Sequence, residues 1–347
     1  MIEALIKAAF ENKASDIFIS EGSVARMKVN GQLMIAGDDP VEKDDIVSFW
    51  KRCGADPEYD GDRDSSYVAH NGVRFRVNLH RHLGKLGAVL RQINTEIPDL
   101  ETLGLPVDLL TRWVMAPAGI ILITGPTGSG KSTTLASSLE WLNQNSAKHI
   151  VTIEDPIEYL FESKQSLFTQ REVHTDTDSF ARGLRSSLRQ APDVILLGEI
   201  RDPETAQIAL QAAETGHLVL ATLHSANVSE TVERLTNLFP SEERESQLQL
   251  LSNMLIGICC QILLPAASEG LFLVTEHVEN TGVVRNYIRE SRIPEIVDFI
   301  GRGDNPNNKL FMHALVEAAQ NGNLTPEIAA AASGNESDFD RAMRGIS

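Results

Sequence analysis

The chain has 347 residues, with 42% hydrophobic and 23% charged side chains, an ordinary balance for a globular protein and a length that suits two domains. Its formal net charge of −17 argues against a surface built to grip nucleic-acid phosphates, and the sequence carries no basic stripe. Cys53, Cys259 and Cys260 have no metal-ligand spacing, and an odd count without a secretion signal reads as reduced thiols of a cytosolic protein.

Met1 to Lys13 predicts a short amphipathic helix, lacking the apolar core and cleavage site of a signal peptide. Asp16 to Ser20 reads as a strand. Asn30-Gly31 separates two alternating runs, Ala25 to Val29 and Gln32 to Ala36, which is a hairpin signal. Glu42 to Arg52 reads as a helix. Asn71-Gly72 repeats the hairpin signal between Ser66 to Ala69 and Val73 to Leu79, and Gly87 to Ile93 is a further strand. These elements make residues 1–95 a small α/β domain with no nucleotide motif. The polar stretch 94–106 contains Pro98, Gly104 and Pro106 and reads as a linker, centred on residues 96–106.

From there strands and helices alternate through a second domain, 107–347. Ile120 to Thr124, Val151 to Ile153, Asp193 to Leu197 and His217 to Leu223 are short apolar runs of the buried parallel-strand kind. Helices are expected at 133–140, 178–191, 203–215 and 228–238, giving layers around a mostly parallel sheet. After about Ser241 the pattern turns helical, with a strand pair near Leu271 to Glu279. Met254 to Leu264 is too short for a membrane span and reads as a buried helix. The polar tail 333–347 is expected to fray.

The chemistry starts at Gly125-Pro126-Thr127-Gly128-Ser129-Gly130-Lys131-Ser132, followed by Thr133. This is a complete phosphate-binding loop between an apolar strand and a helix. Its glycines let backbone N–H groups turn inward around phosphate oxygens, and the helix N-terminus adds partial positive charge. Lys131 is placed to reach the terminal phosphates of ATP and Ser132 to ligate Mg²⁺. Glu154-Asp155-Pro156-Ile157-Glu158 follows a strand, at the end where α/β sheets bind ligands. Glu158 there can orient or deprotonate an attacking water. Val194 to Gly198 ends on Glu199, an acid aimed toward Mg²⁺. His217 and His224 stand at opposite ends of one strand, about 23 Å apart at about 3.3 Å per residue, so they cannot share a metal. His224 lies on the nucleotide side and can sense the γ-phosphate. His217 reads as a turn or subunit contact. Arg182, Arg185 and Arg189 share a face of a predicted helix, either as a solvated stripe or as phosphate contacts for a neighbouring subunit. Arg76 and Arg91, on strands of the first domain, are candidates of the same kind.

In this order the motifs resemble the secretion ATPase superfamily of P-loop NTPases, specifically the type IV pilus retraction ATPases. The match rests on 125–133, the acidic box Thr-Ile-Glu-Asp-Pro-Ile-Glu at 152–158, and Gln-Arg-Glu-Val at 170–173. It extends to Gly-Glu-Ile-Arg-Asp at 198–202, the histidine box at 214–224, and Val-Arg-Asn-Tyr-Ile-Arg-Glu at 284–290. The resemblance implies a PAS-like N-terminal domain and a RecA-like ATPase domain with a helical C-terminal part, assembled as a homo-hexamer. It implies that Glu158 is the catalytic glutamate, Glu199 the Mg²⁺-side acid and His224 the histidine-box residue. Arg76, Arg91, Arg185 and Arg189 become nucleotide contacts. It also implies a cytoplasmic protein, peripheral at the inner membrane through a pilus platform protein, possibly beside a paralogous pilus ATPase, with no membrane span and no nucleic-acid partner.

The family's Ser-Asp-Leu-His strand reads Ser15-Asp16-Ile17-Phe18 here, without the histidine. Residues 176–180 and 188–193 lean toward the PilU-type branch, whereas 285–290 leans toward the PilT-type branch. A pilus assembly or type II secretion ATPase shares every core motif. It is disfavoured because no large extra N-terminal domain or four-cysteine zinc module appears. An accessory, PilU-like ring component is the other alternative, disfavoured by the intact Lys131, Glu158, Glu199 and His224.

Overall fold

A computed structural model describes all residues except 30, 59–60, 71, 94–95, 304 and 346–347. Asn30, Asn71, Asn94, Thr95 and the last two tail residues thus lie outside the described residues. The chain divides into two compact units, 1–95 with 156–160, and 96–155 with 161–347.

The first unit is built on six antiparallel strands. These are β1 (Asp16–Ser20), β2 (Val24–Val29), β3 (Gln32–Pro40), β4 (Arg63–Val68), β5 (Arg74–His82) and β6 (Lys85–Gln92), in the order β3-β2-β1-β6-β5-β4. Helix α1 (Ile2–Glu11) buries Ile2, Leu5, Ile6 and Ala9, the spacing that lines one helical face. With α2 (Lys43–Arg52), whose Phe49 and Trp50 are fully buried, it closes the core against Ile17, Val77 and Leu90. Phe75, Val77 and Leu79 of β5 point inward while Arg74, Arg76 and Asn78 alternate with them, as a sheet period of two requires.

The second unit carries a seven-stranded sheet, ordered β13-β12-β7-β11-β10-β8-β9. Its strands are β7 (Gly119–Thr124), β8 (His149–Glu154), β9 (Leu167–Glu172), β10 (Val194–Leu197), β11 (Leu218–Leu223), β12 (Leu255–Pro265) and β13 (Leu271–Glu279). All neighbouring pairs are parallel except β12 with β13. Every residue of β7, β10 and β11 is buried, because helices cover both faces of a parallel sheet. The covering helices are α3 (Val107–Val114), α4 (Lys131–Asn145), α5 (Phe180–Ser187), α6 (Pro203–Glu214), α7 (Val228–Asn237) and α8 (Arg244–Met254). Ser179, Asp202 and Asn227 cap α5, α6 and α7 through side-chain oxygens, and Pro203 opens α6. Helices α9 (Gly282–Arg289), α10 (Pro294–Gly301), α11 (Phe311–Gln320), α12 (Pro326–Ala332) and α13 (Glu336–Met343) complete the unit.

Four sequence expectations are corrected. Met254 to Leu264 is not a helix: it is almost wholly strand β12, parallel to β7 and antiparallel to β13. A short apolar run has no period that separates strand from buried helix, and the isoleucines at 256, 258 and 262 favour the strand. Gly257 within it lies under the Trp113 ring, 2.2 Å from where a Cβ would sit. Leu271 to Glu279 is accordingly one strand, β13, and its partner is β12. The tail 333–347 does not fray throughout. Asn335 caps α13, and Phe339 is buried against Leu315, Leu324 and Ala329. Finally, the helix expected at 178–191 ends at Ser187, so Arg189 lies beyond it. Ala191 takes a left-handed φ of 52° just before Pro192. The polar stretch 96–106 contains a 3₁₀ turn at Leu100–Leu103, and Leu100 and Leu105 join the core beside α3 and α4. Strand β9, an edge strand of mixed polarity, gave no sequence signal of its own.

Cys53, Cys259 and Cys260 are free and buried, and burial pushes the Cys53 and Cys259 thiols up to about 12. His277 on β13 is buried beside Lys309, and burial with that positive charge lowers its pKa from 6.5 to about 4. The unfolded chain therefore binds a proton that the folded chain refuses between these two values. Stability is fully present above 6.5 and falls as pH drops toward 4, by about 1.4 kcal/mol per unit. Denaturant unfolding is expected to lose ~3 kcal/mol across that window on account of this group, and less in His277→Gln. An identical pH slope in the variant would remove His277 as the cause.

Candidate functional site

The phosphate loop leaves the carboxyl end of β7 and enters α4. Gly125, Gly128 and Gly130 have φ of 145°, 80° and 85°, a region that side-chain-bearing residues rarely adopt. A Cβ on Gly125 would lie 2.2 Å from the Gln261 carbonyl oxygen and 2.6 Å from Ser129 Oγ, so only glycine fits. Pro126, Thr127 and Gly128 are exposed, Ser129 and Lys131 are buried, and Ser132 and Thr133 are half-buried. The Lys131 ammonium donates to the Gly125 and Pro126 carbonyls at 2.9 and 3.0 Å, which folds it back across the loop. Ser129 Oγ is buried with no hydrogen-bond partner. A buried hydroxyl left unpaired within a glycine cradle at a helix N-terminus fits an anionic oxygen as its missing acceptor.

Because β7, β11, β10 and β8 run parallel, the segments after them share one sheet edge. The phosphate loop, His224 and Glu199 follow β7, β11 and β10, and Glu154 ends β8. Glu199 and His224 are brought together, with His224 Nε2 3.3 Å from Glu199 Oε1. Glu199 Oε2 accepts from Arg201 Nε at 2.7 Å, and Arg234 donates to the His224 carbonyl. Glu154 is buried and accepts from Thr152 Oγ1 at 2.6 Å. Ser132 and Glu199 offer a hydroxyl and a carboxylate, the hard oxygen donors that suit Mg²⁺. Glu158 is exposed and belongs to the 156–160 segment of the first unit. His217 caps its own turn instead of facing this edge, its Nδ1 lying 3.0 Å from the Ala212 carbonyl oxygen.

The arginines form two groups. On the first unit Arg76 and Arg91 are cross-strand partners on β5 and β6, flanking a cavity of about 320 Å³. Arg91 Nε donates to the buried carboxylate of Asp16 at 2.8 Å, and Arg76 lies 3.7 Å from Asp64. On the second unit Arg171, Arg182, Arg185 and Arg189 line a cavity of about 440 Å³. Arg185 pairs with Glu204 at 3.0 Å, and Arg189 reaches the same cavity from beyond the end of α5. Gln261, given no role at the site by the sequence reading, touches both ends of the phosphate loop. A buried chain of polar contacts lies just before the loop, at the end of β7: Thr124 Oγ1 lies 2.9 Å from Cys260 Sγ and 3.2 Å from Thr231 Oγ1, and Thr231 bonds Ser225 at 2.7 Å. Among the described residues no group of His, Cys, Asp and Glu could hold a metal on its own.

The family described as "Type II/IV secretion system protein" matches residues 1–270. The chain belongs to that family. Among relatives of this secretion-system family, the type IV pilus retraction ATPase PilT of Pseudomonas aeruginosa is 39% identical over 309 residues, 87% of this chain and 89% of its own length. The type IV pilus ATPase PilU of the same organism is 36% identical, covering 97% of this chain and 90% of its own. A solved structure of the pilus retraction motor PilT with bound ADP superposes with a TM-score of 0.89 at 37% identity, covering 98% of this chain and 99% of that one. The chain thus has the mixed α/β fold of these secretion ATPases, an N-terminal domain followed by a RecA-like ATPase domain. Among the described residues no helix is long and apolar enough to cross a membrane.

Proposed function

We propose that this chain is a Mg²⁺-dependent motor ATPase that powers retraction of a type IV pilus as a homo-hexamer. The observation that carries the reading is the intact phosphate loop on one sheet edge with the Glu199–His224 pair, in a chain similar to retraction ATPases along most of its length. Residues 1–95 are assigned as the PAS-like domain, 96–106 as the linker, and 107–347 as the RecA-like domain with its helical C-terminal part.

In this reading ATP phosphates lie on the N–H groups of Gly128 to Ser132, and Lys131 leaves its loop carbonyls to neutralise the terminal phosphates. Ser132 and Glu199 would hold Mg²⁺, which would offset charge developing on the phosphate oxygens. Glu158 accepts a proton from water as the water oxygen bonds to the γ-phosphorus. The bond to the β-phosphate oxygen then breaks, leaving ADP and phosphate. His224, 3.3 Å from Glu199, reports which of these is present. Arg76, Arg91, Arg185 and Arg189 supply guanidinium forks to the nucleotide, some of them across a subunit boundary. Domain rotation on hydrolysis acts on a membrane platform protein, which places the ring at the cytoplasmic face of the inner membrane. A paralogous pilus ATPase is a further partner.

The second reading is a secretion or pilus-assembly ATPase. Type II secretion system protein E of Pectobacterium carotovorum is 40% identical over 286 residues. That match covers 76% of this chain, against 87% and 97% for the two pilus relatives, which favours retraction. The ring is tested by measuring ATP hydrolysis against oligomeric mass, with Arg91→Ala beside the wild type. Activity confined to a hexamer and lowered ~10²-fold or more in the variant is expected. A monomer that hydrolyses ATP, with Arg91→Ala unaffected, would sink the trans-arginine ring.

A further inference from the structure

Gln261 is fully buried on β12, one residue past the Cys260–Thr124 register that sets β12 beside β7. Its side-chain Nε2 donates to the Ser129 carbonyl at 2.7 Å. The same nitrogen lies 3.3 Å from where a Gly130 Cβ would sit, and its backbone carbonyl fills the space beside Gly125. One residue therefore touches the start and the end of the phosphate loop. Its Oε1 is buried without a hydrogen-bond partner, as is Ser129 Oγ. A buried amide oxygen left unpaired carries a cost, and the bond to Ser129 holds the side chain there against it.

We infer that Gln261 is a positioning residue for phosphate binding, clamping the loop in its binding shape before nucleotide arrives. The inference rests on the ATPase reading above. Pulling the Ser129 carbonyl toward β12 turns the peptide so that the following N–H groups face the phosphate side. Without the clamp the loop samples other conformers, and nucleotide binding must supply the ordering.

The test measures ADP affinity of Gln261→Met and Gln261→Glu by calorimetry, alongside melting of the nucleotide-free proteins. Methionine keeps the volume and removes the donor; glutamate keeps the shape and sets an acceptor against the Ser129 carbonyl. Both variants are expected to bind ADP about tenfold more weakly or worse, with glutamate the weaker; nucleotide-free melting changes little in Gln261→Met and falls in Gln261→Glu, which buries a charge. Wild-type affinity in folded variants, even with lowered melting, would reduce Gln261 to a packing residue and overturn the inference. A wild type that binds no ADP would instead sink the ATPase reading. Should neither variant fold, hydrogen exchange of the nucleotide-free wild type decides. Protection of the Ser129 amide, which donates to the Pro126 carbonyl at 3.2 Å, is expected, and free exchange there overturns the clamp.

Discussion

Lys131→Ala is expected to lower ATP hydrolysis by about 10³-fold while leaving the protein folded. The ammonium is held by the Gly125 and Pro126 carbonyls at 2.9 and 3.0 Å, a poor substitute for phosphate oxygens, so ATP competes it away readily. Once moved, it is a positive charge in a largely buried site, where each charged donor contributes roughly 10²–10³ in rate. The contact is with charge that grows during reaction, so the turnover rate falls more than binding does. Lys131→Arg is expected to fail nearly as badly, because a planar guanidinium is bulkier than the ammonium and cannot turn in the same mouth. Phosphate release measured beside melting curves checks both variants. Lys131→Ala keeping more than about a tenth of wild-type turnover would remove the lysine from the mechanism.

Gly125→Ala is the second large effect, and Gly128→Ala is its control. Both glycines have φ values that disfavour a side chain, 145° and 80°. They differ in space. A Cβ at 125 overlaps the Gln261 carbonyl oxygen at 2.2 Å, whereas at 128 nothing lies within 4 Å. Backbone strain at either site costs roughly 1–3 kcal/mol. At 125 the overlap adds about 1–3 kcal/mol and cannot relax without separating the loop from β12. Gly125→Ala should therefore lose ~100-fold or more in nucleotide affinity, with Gly128→Ala losing about tenfold. Equal losses in the two variants would mean that strain alone matters and that β12 does not support the loop.

What the sequence discloses here is what lies close along the chain. The phosphate loop and the strand running up to Glu199 are local patterns with local causes, and the structure sets the loop between β7 and α4 and ends β10 two residues before Glu199. The hairpins of the first unit follow from alternation, whereas the β5–β6 register that sets Arg76 opposite Arg91 does not. The failures share a different cause. Leu255 to Pro265 is apolar but for Gln261, and its pairing with β7 and β13 decides that it is a strand. Misreading that segment hides Gln261, whose bond to Ser129 spans 132 residues. The helix at α5 was read too long because Arg182, Arg185 and Arg189 keep helical spacing past the point where the chain turns out before Pro192. The polar tail carries little apolar surface, yet Phe339 and Met343 anchor α13 to the hydrophobic cluster beside β13.

The most direct measurement is phosphate release from ATP by the purified protein beside Glu158→Gln, with nucleotide binding measured on both. The ATPase reading predicts turnover by the wild type, and a variant that binds ATP normally but hydrolyses it at least ~10²-fold more slowly, the loss typical of a missing general base. A folded, nucleotide-binding wild type with no turnover, or a Glu158→Gln protein at wild-type rate, would contradict it.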